Sequence, residues 1–273
     1  MKVSLLKTLS ILFLSFVLLG LVATSCNKNT DTVTDESVAA DNATAEANFS
    51  DESRIVDVAA IENGLGKTNG TCPAVTVDTL STPHSMTLDF GSSNCTGADG
   101  KLRRGKIIIT WSGRYRQAGT VITHSYVDFY QNNNKIEGTK TVTNMGLNNA
   151  GHIYFTVQIT NAKVTKVNGK IISWSSTRTR EWIQGANTPT VSDDIYSITG
   201  SASGTDANGN SFSMLITKAL ITDFSCQFHL VSGTIEITPT GKPTRVIDYG
   251  NGNCDDDATL TVGKKTIAFK IKR

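Results

Sequence analysis

The chain has 273 residues, with 26 basic and 24 acidic side chains and a net charge of +2. Residues 54–273 carry 23 basic and 17 acidic side chains, a net of +6 spread without a helical basic stripe, which argues against a nucleic-acid partner. A body of 220 residues suffices for one large all-β domain or two small ones.

The first element in chain order is a leader. Lys2 and Lys7 precede an apolar run of 14 residues from Leu9 to Val22. That length fits a signal peptide and falls short of the roughly 20 residues needed to span a bilayer. Ala23, Thr24 and Ser25 follow, and then Cys26. The arrangement resembles the lipoprotein signal of Gram-negative bacteria, which implies that residues 1–25 are removed and that Cys26 carries the lipid. Ala23-x-Ser25 also suits ordinary signal peptidase, which would release a soluble chain. Cys26 is the odd one of five cysteines, and this favours lipidation. Several acyl chains on one cysteine make a firm anchor. Asn27 is not an inner-membrane retention signal of the Asp type, so the expected address is the outer membrane, facing the periplasm or the cell surface.

Residues 26–53 hold seven acids against Lys28 alone, a net of −6, with almost no large apolar side chain. Such a composition buries too little surface to offset ordering entropy, so a flexible lipid-anchored tether is predicted. An acidic stretch in this place also resembles a signal for surface export. Composition does not decide whether the −6 tether and the +6 body attract each other.

One helix is predicted, from Ser50-Asp51-Glu52 to Asn63-Gly64, with Ile55, Val58 and Ala59 on the face that meets the sheet edge. Everything after it reads as strand. Val75–Val77, Met86–Leu88, Ile107–Trp111, Val121–Tyr130 and Ile136–Val142 come first. Ile153, Phe155, Val157 and Ile159 then alternate with Tyr154, Thr156, Gln158 and Thr160, as a sheet with one wet side requires. Asn168-Gly169 and Asn208-Gly209 predict two-residue hairpin turns. Closely spaced hairpins leave no room for parallel crossovers. The expected fold is all-β: an antiparallel curved sheet folded as a sandwich or open barrel, forming one domain over residues 54–273.

The body contains a repeat. Leu88-Asp89-Phe90-Gly91-Ser92-Ser93-Asn94-Cys95 matches Ile247-Asp248-Tyr249-Gly250-Asn251-Gly252-Asn253-Cys254 in Asp, aromatic, Gly, Asn and Cys. Cys72 and Cys226 open the two units, which cover 72–109 and 226–271. In an oxidising compartment the four cysteines read as two disulfides, and the repeat favours Cys72–Cys95 with Cys226–Cys254 over the other two pairings. A metal site would need Cys-x-x-Cys spacing or nearby His, and neither is present.

These Asp-aromatic-Gly-x-x-Asn-Cys units, with the signal ending in Cys26, resemble those of uncharacterised surface and outer-membrane lipoproteins of Gram-negative bacteria. The resemblance covers most of residues 54–273 and implies a membrane anchor and a β architecture. It carries no activity.

Two constellations could hold chemistry. Asp248, Asn251, Asn253, Asp255, Asp256 and Asp257 crowd one turn, and such oxygen ligands suit Ca²⁺; Asp248, Asn253, Asp255 and Asp257 are the candidate ligands. The same residue types are ordinary in turns, and no cofactor is expected. Trp174, Arg178, Arg180 and Trp182 alternate along one strand and share a face that could stack sugar rings. The plainer alternative is a packed sheet face on which Arg stems lie against Trp, with Ser173, Ser175, Thr177, Thr179 and Glu181 opposite. Four scattered histidines and the lack of a Gly-x-Ser-x-Gly elbow give no catalytic motif. The expectation is therefore a non-catalytic binding or structural module of the cell envelope, with a glycan or protein partner. The alternatives are an extracytoplasmic polysaccharide hydrolase, favoured by paired carboxylates in a cleft, and a lipid-carrying half-barrel, favoured by an apolar concave face.

Overall fold

The computed structural model describes residues 38–46, 48, 72–97, 100–188, 190–226 and 229–270. The leader, Cys26 and the helix expected over 50–64 lie outside the described residues.

Fourteen strands form one antiparallel sheet. They are β1 (Ala74–Asp78), β2 (His84–Asp89), β3 (Cys95–Thr96), β4 (Leu102–Trp111), β5 (Val121–Gln131), β6 (Asn134–Leu147) and β7 (Ile153–Thr165), then β8 (Ile171–Gln184), β9 (Ile195–Thr205), β10 (Ser211–Asp223), β11 (His229–Pro239), β12 (Arg245–Asn251), β13 (Asp257–Val262) and β14 (Lys265–Lys270). Spatial order follows chain order from β1 to β14, with β3 a short side pair on β4, and the two ends do not join. The structure is thus a single open sheet, which decides between the expected sandwich and open barrel.

Thirteen strands in a row would span about 58 Å if flat, at 4.8 Å per strand. One buried cluster nevertheless joins Met86 and Leu88 of β2 to Ile172 of β8 and Leu260 of β13. The sheet is therefore curled, and its core lies on the concave side. Bulges help it curl. Register shifts interrupt β5–β6 between Ser125 and Tyr130, β6–β7 between Glu137 and Thr139, and β7–β8 between Ile159 and Ala162. At Asn161 (φ +52°) an extra residue changes the parity, so the buried set of β7 runs Phe155, Ile159, then Ala162 and Val164.

Both Asn-Gly turns form, but each connection is longer than two residues. The last paired residues are Thr165 and Ile171 in one, and Thr205 and Ser211 in the other. Only Gly169 and Gly209 take positive φ, whereas a two-residue turn of type I′ needs it at both central positions. That geometry appears at Asn132-Asn133, where both residues have positive φ between Gln131 and Asn134.

Residues 38–46 form a helix, α1. Composition assigned them to the solvated tether, and this is corrected here. Val38, Ala39, Asp41, Asn42 and Ala45 are buried, and the three apolar ones belong to the main core. The acidic segment and the basic body do meet. Asp41 accepts hydrogen bonds from Lys166 Nζ and from the backbone N–H of Ala207, both at 2.7 Å. Glu46 pairs with Arg178. These contacts offset the ordering entropy that a solvated segment would keep. All described residues fall within one compact unit, Val33–Arg273.

Candidate functional site

The aromatic and basic residues of β8 share one face, as their alternation predicts. That face is the concave, covered one. Trp174 and Trp182 are buried, as is Arg178. Trp182 stacks on Tyr196 at 5.5 Å between ring centroids, and its Nε1 donates to Asp194 Oδ1 at 3.0 Å. The Arg180 guanidinium lies over the rings of Phe155 (5.1 Å) and Tyr196 (4.8 Å) and donates to Tyr115 Oη. Burial pushes the Asp194 carboxyl above its usual range, against the hydrogen bond from Trp182. The two indoles are core side chains and present no sugar-stacking surface to solvent. Alternation alone gave the shared face without saying which way it points.

The repeated Asp-aromatic-Gly unit has a structural use in both copies. Asp89 Oδ1 accepts from Gly91 N at 2.9 Å, and Asp248 Oδ1 accepts from Gly250 N at 2.8 Å. The glycine takes positive φ in each, and the aromatic between turns into the core: Phe90 lies against Phe129, and Tyr249 packs on the main cluster. Lys106 and the Gly91 N–H hold the Asp89 carboxyl below its usual range. Both expected disulfides, Cys72–Cys95 and Cys226–Cys254, are present.

The acidic turn of the second copy is engaged within the protein. Asp255 Oδ1 accepts from Asp257 N at 3.0 Å, and Asp257 pairs with Lys270. Asn253 stands in the same exposed turn. Among the described residues, no three His, Cys, Asp or Glu side chains converge as metal ligands.

A second polar group closes the β6–β7 end. His152 Nδ1 and Asn148 Nδ2 both lie 2.7 Å from Glu181 Oε1, and Asn148 Oδ1 accepts the backbone N–H of Ala150 and of His152. These hydrogen bonds, His152 first, hold the Glu181 carboxyl below its usual range. The group has the parts of a general-base dyad and also ties down its own loop.

The outward side of the same central strands carries an open groove of about 590 Å³ across β7–β10. Gln158, Ser175, Thr177, Ser201, Ser203 and Ser213 line it, with the exposed Leu215 at one side. Cross-strand register brings Gln158 opposite Thr177, Thr177 opposite Ser201, and Ser175 opposite Ser203. The described lining residues carry no ionisable side chain. The alternation in β8 groups Ser175 and Thr177 on one face, and the structure shows that this face is the exposed one. That four strands would contribute to one groove is a matter of pairing, which local sequence does not state.

No family model, curated protein or solved structure matches the chain.

Proposed function

We propose that the chain is a lipoprotein of the outer membrane, anchored at Cys26, that acts without catalysis as a binding module of the cell envelope. Its partner is an uncharged polar ligand, a neutral glycan or a hydroxyl-rich envelope surface, taken up on the outward groove of β7–β10. One observation carries this reading: the groove offers hydrogen-bonding groups from four adjacent strands and no ionisable side chain among its described residues. A rigid array of donors and acceptors on regular strands is already ordered before a ligand arrives, which lowers the entropy lost on binding. The buried Trp174 and Trp182 have no part in it.

The test is a glycan array probed with the full chain, with and without Ca²⁺. Binding to neutral glycans is expected, and it should be lost in Thr177→Lys/Ser203→Lys. Both positions are exposed, so the changes leave the sheet intact. A blank array with the folded protein would reject the glycan and direct the search to protein partners by crosslinking in native outer membranes.

A further inference from the structure

Successive strands of the sheet are antiparallel, so its connections fall alternately at two ends. Residues 90–101, 132–133, 166–170, 206–210, 240–244 and 263–264 make one end. They carry Lys101, Lys166, Lys170, Lys242 and Lys264 against Asp99 and Asp206, five lysines to two acids and a net of +3. The connections of the opposite end carry Asp193, Asp194, Asp255 and Asp256 against Arg114 and Arg116, a net of −2. The basic end shows its charge: Lys170 and Lys264 are exposed, whereas Asp206 is buried and accepts from Asn208 and Asn210 of its own turn. Beside Lys170, at the β7–β8 hairpin, Val167 is 74% and Ile171 50% exposed. Leu80 and Leu147 are exposed at the opposite end, where the connections are net acidic.

Helix α1 is held at the basic end. Asp41 bonds Lys166 and Ala207 N in two of its connections, and Asn48 Oδ1 accepts at 3.1 Å from Nε2 of Gln131, the last residue of β5. Val38 lies one turn before Asp41 and 12 residues after Cys26. A chain of that length reaches about 43 Å at most. A lipid on Cys26 therefore ties the body to a membrane from its basic end.

We propose that this end docks on the anionic face of the membrane that holds the lipid, with Lys170 and Lys264 at the head groups and the Val167–Ile171 tip at the interface. A basic surface with an apolar tip combines the two forces that hold a protein against an anionic bilayer. Each lysine brought to such a surface strengthens binding by about fivefold. The outward groove stays free, because it lies along the strands and not at their ends. The inference rests on the lipid anchor of the proposed function and not on the glycan groove.

The experiment uses residues 27–273, which contain the whole compact unit and lack both the leader and Cys26, so any binding belongs to the body. The acids of the tether are kept, and their competition for the lysines is part of the measurement. The protein is titrated with vesicles containing phosphatidylglycerol and with vesicles of phosphatidylcholine alone. Binding to the anionic vesicles alone is expected, weakening as salt rises. Lys170→Gln/Lys264→Gln should weaken it at least about tenfold. Lys218→Glu makes the same change of net charge on an exposed position of β10, away from both ends, and should leave it within about twofold. An environment-sensitive dye at Asn168→Cys should shift to the blue on the anionic vesicles, and one at Asn187→Cys, at the opposite end, should not. Circular dichroism confirms the sheet in each variant. The proposal is overturned if anionic vesicles are not bound, if neutral ones are bound equally, or if Lys218→Glu weakens binding as much as the double change. It is equally overturned if the Asn187 dye shifts in place of the Asn168 dye, or if a soluble acidic polysaccharide is bound and vesicles are not. Mass spectrometry of the mature N-terminus tests the lipid on Cys26 separately, so failure of the anchor and failure of the docking surface are distinguishable.

Discussion

Replacing Trp182 with Ala separates a core residue from a ligand platform. The ring is 4% exposed, stacks on Tyr196, meets Tyr115 edge-on at 6.4 Å and lies under the Arg116 guanidinium at 4.8 Å. Deleting a buried Trp side chain costs about 3–5 kcal/mol. It also strips the buried Asp194 of its indole donor, which adds about 1–3 kcal/mol. The expected loss is thus about 5 kcal/mol, and at about 2–4 °C per kcal/mol for a domain of this size the melting temperature should fall by roughly 10–20 °C. Trp182→Phe keeps the ring contacts and loses only the N–H, for about 1–2 kcal/mol. That variant carries a pH signature. Asp194 already has a raised pKa in the fold, so its contribution is full below the usual carboxylate pKa and is lost as pH rises through the folded value. Removing the indole donor should raise that pKa further, so the deficit of Trp182→Phe should be larger at pH 7 than at pH 4. Urea unfolding of the three proteins at both pH values measures all of this. A Trp182→Ala protein within 1 kcal/mol of wild type would refute the burial argument and return the ring to the surface.

Other outcomes follow from the same structure. Non-reducing peptide mapping should recover Cys72–Cys95 and Cys226–Cys254, and Cys226→Ala/Cys254→Ala should cost about 3.6 kcal/mol in denaturant unfolding, as loop entropy gives for a separation of 28 residues. Glu181 contributes stability above the usual carboxylate pKa and loses it as pH falls through its lowered folded value, so the gap between wild type and Glu181→Gln should close on acidification below about pH 4. An unchanged gap at pH 3 would remove His152 and Asn148 as its cause. Gly105→Ala should fail to yield folded protein. Gly105 has φ +85°, and a Cβ there would lie 2.0 Å from the Asp128 carbonyl oxygen.

Much of the fold is legible in the residues. The alternation from Ile153 to Ile159 gives the buried face of β7 correctly, and it fails only after Asn161, where a left-handed residue inserts one position. The Asn-Gly pairs mark their turns, yet they do not reveal that Gly alone takes positive φ. The repeat gives both disulfides, because it marks which cysteine belongs to which unit. Three features are hidden. Helix α1 is written in small and acidic residues that read as solvated, although Val38, Asn42, Ala45 and Asn48 do carry helical spacing. Arg178 looks like a surface residue until its partner Glu46, 132 positions earlier, is known. The inward direction of Trp174 and Trp182 depends on the curl of the whole sheet, which no single strand encodes.

The agreement of spatial and chain order has a consequence for how this molecule is made and lost. Every strand finds its partners among its sequence neighbours, so assembly can proceed like a zip from any hairpin, without waiting for a distant segment. Fraying must then begin at β1 and β14, each of which has one neighbour where every strand between them along the main order has at least two. The covalent clips fall towards those two extremities: Cys72–Cys95 binds the opening strands, and Cys226–Cys254 ties the end of β10 to the turn before β13. The last strand also carries Lys265 and Lys270 on its open edge, charges that discourage another chain from adding itself there. A linear sheet of this kind is protected where it would unravel, and its long unclipped middle is held by strand pairing and by what fills the hollow.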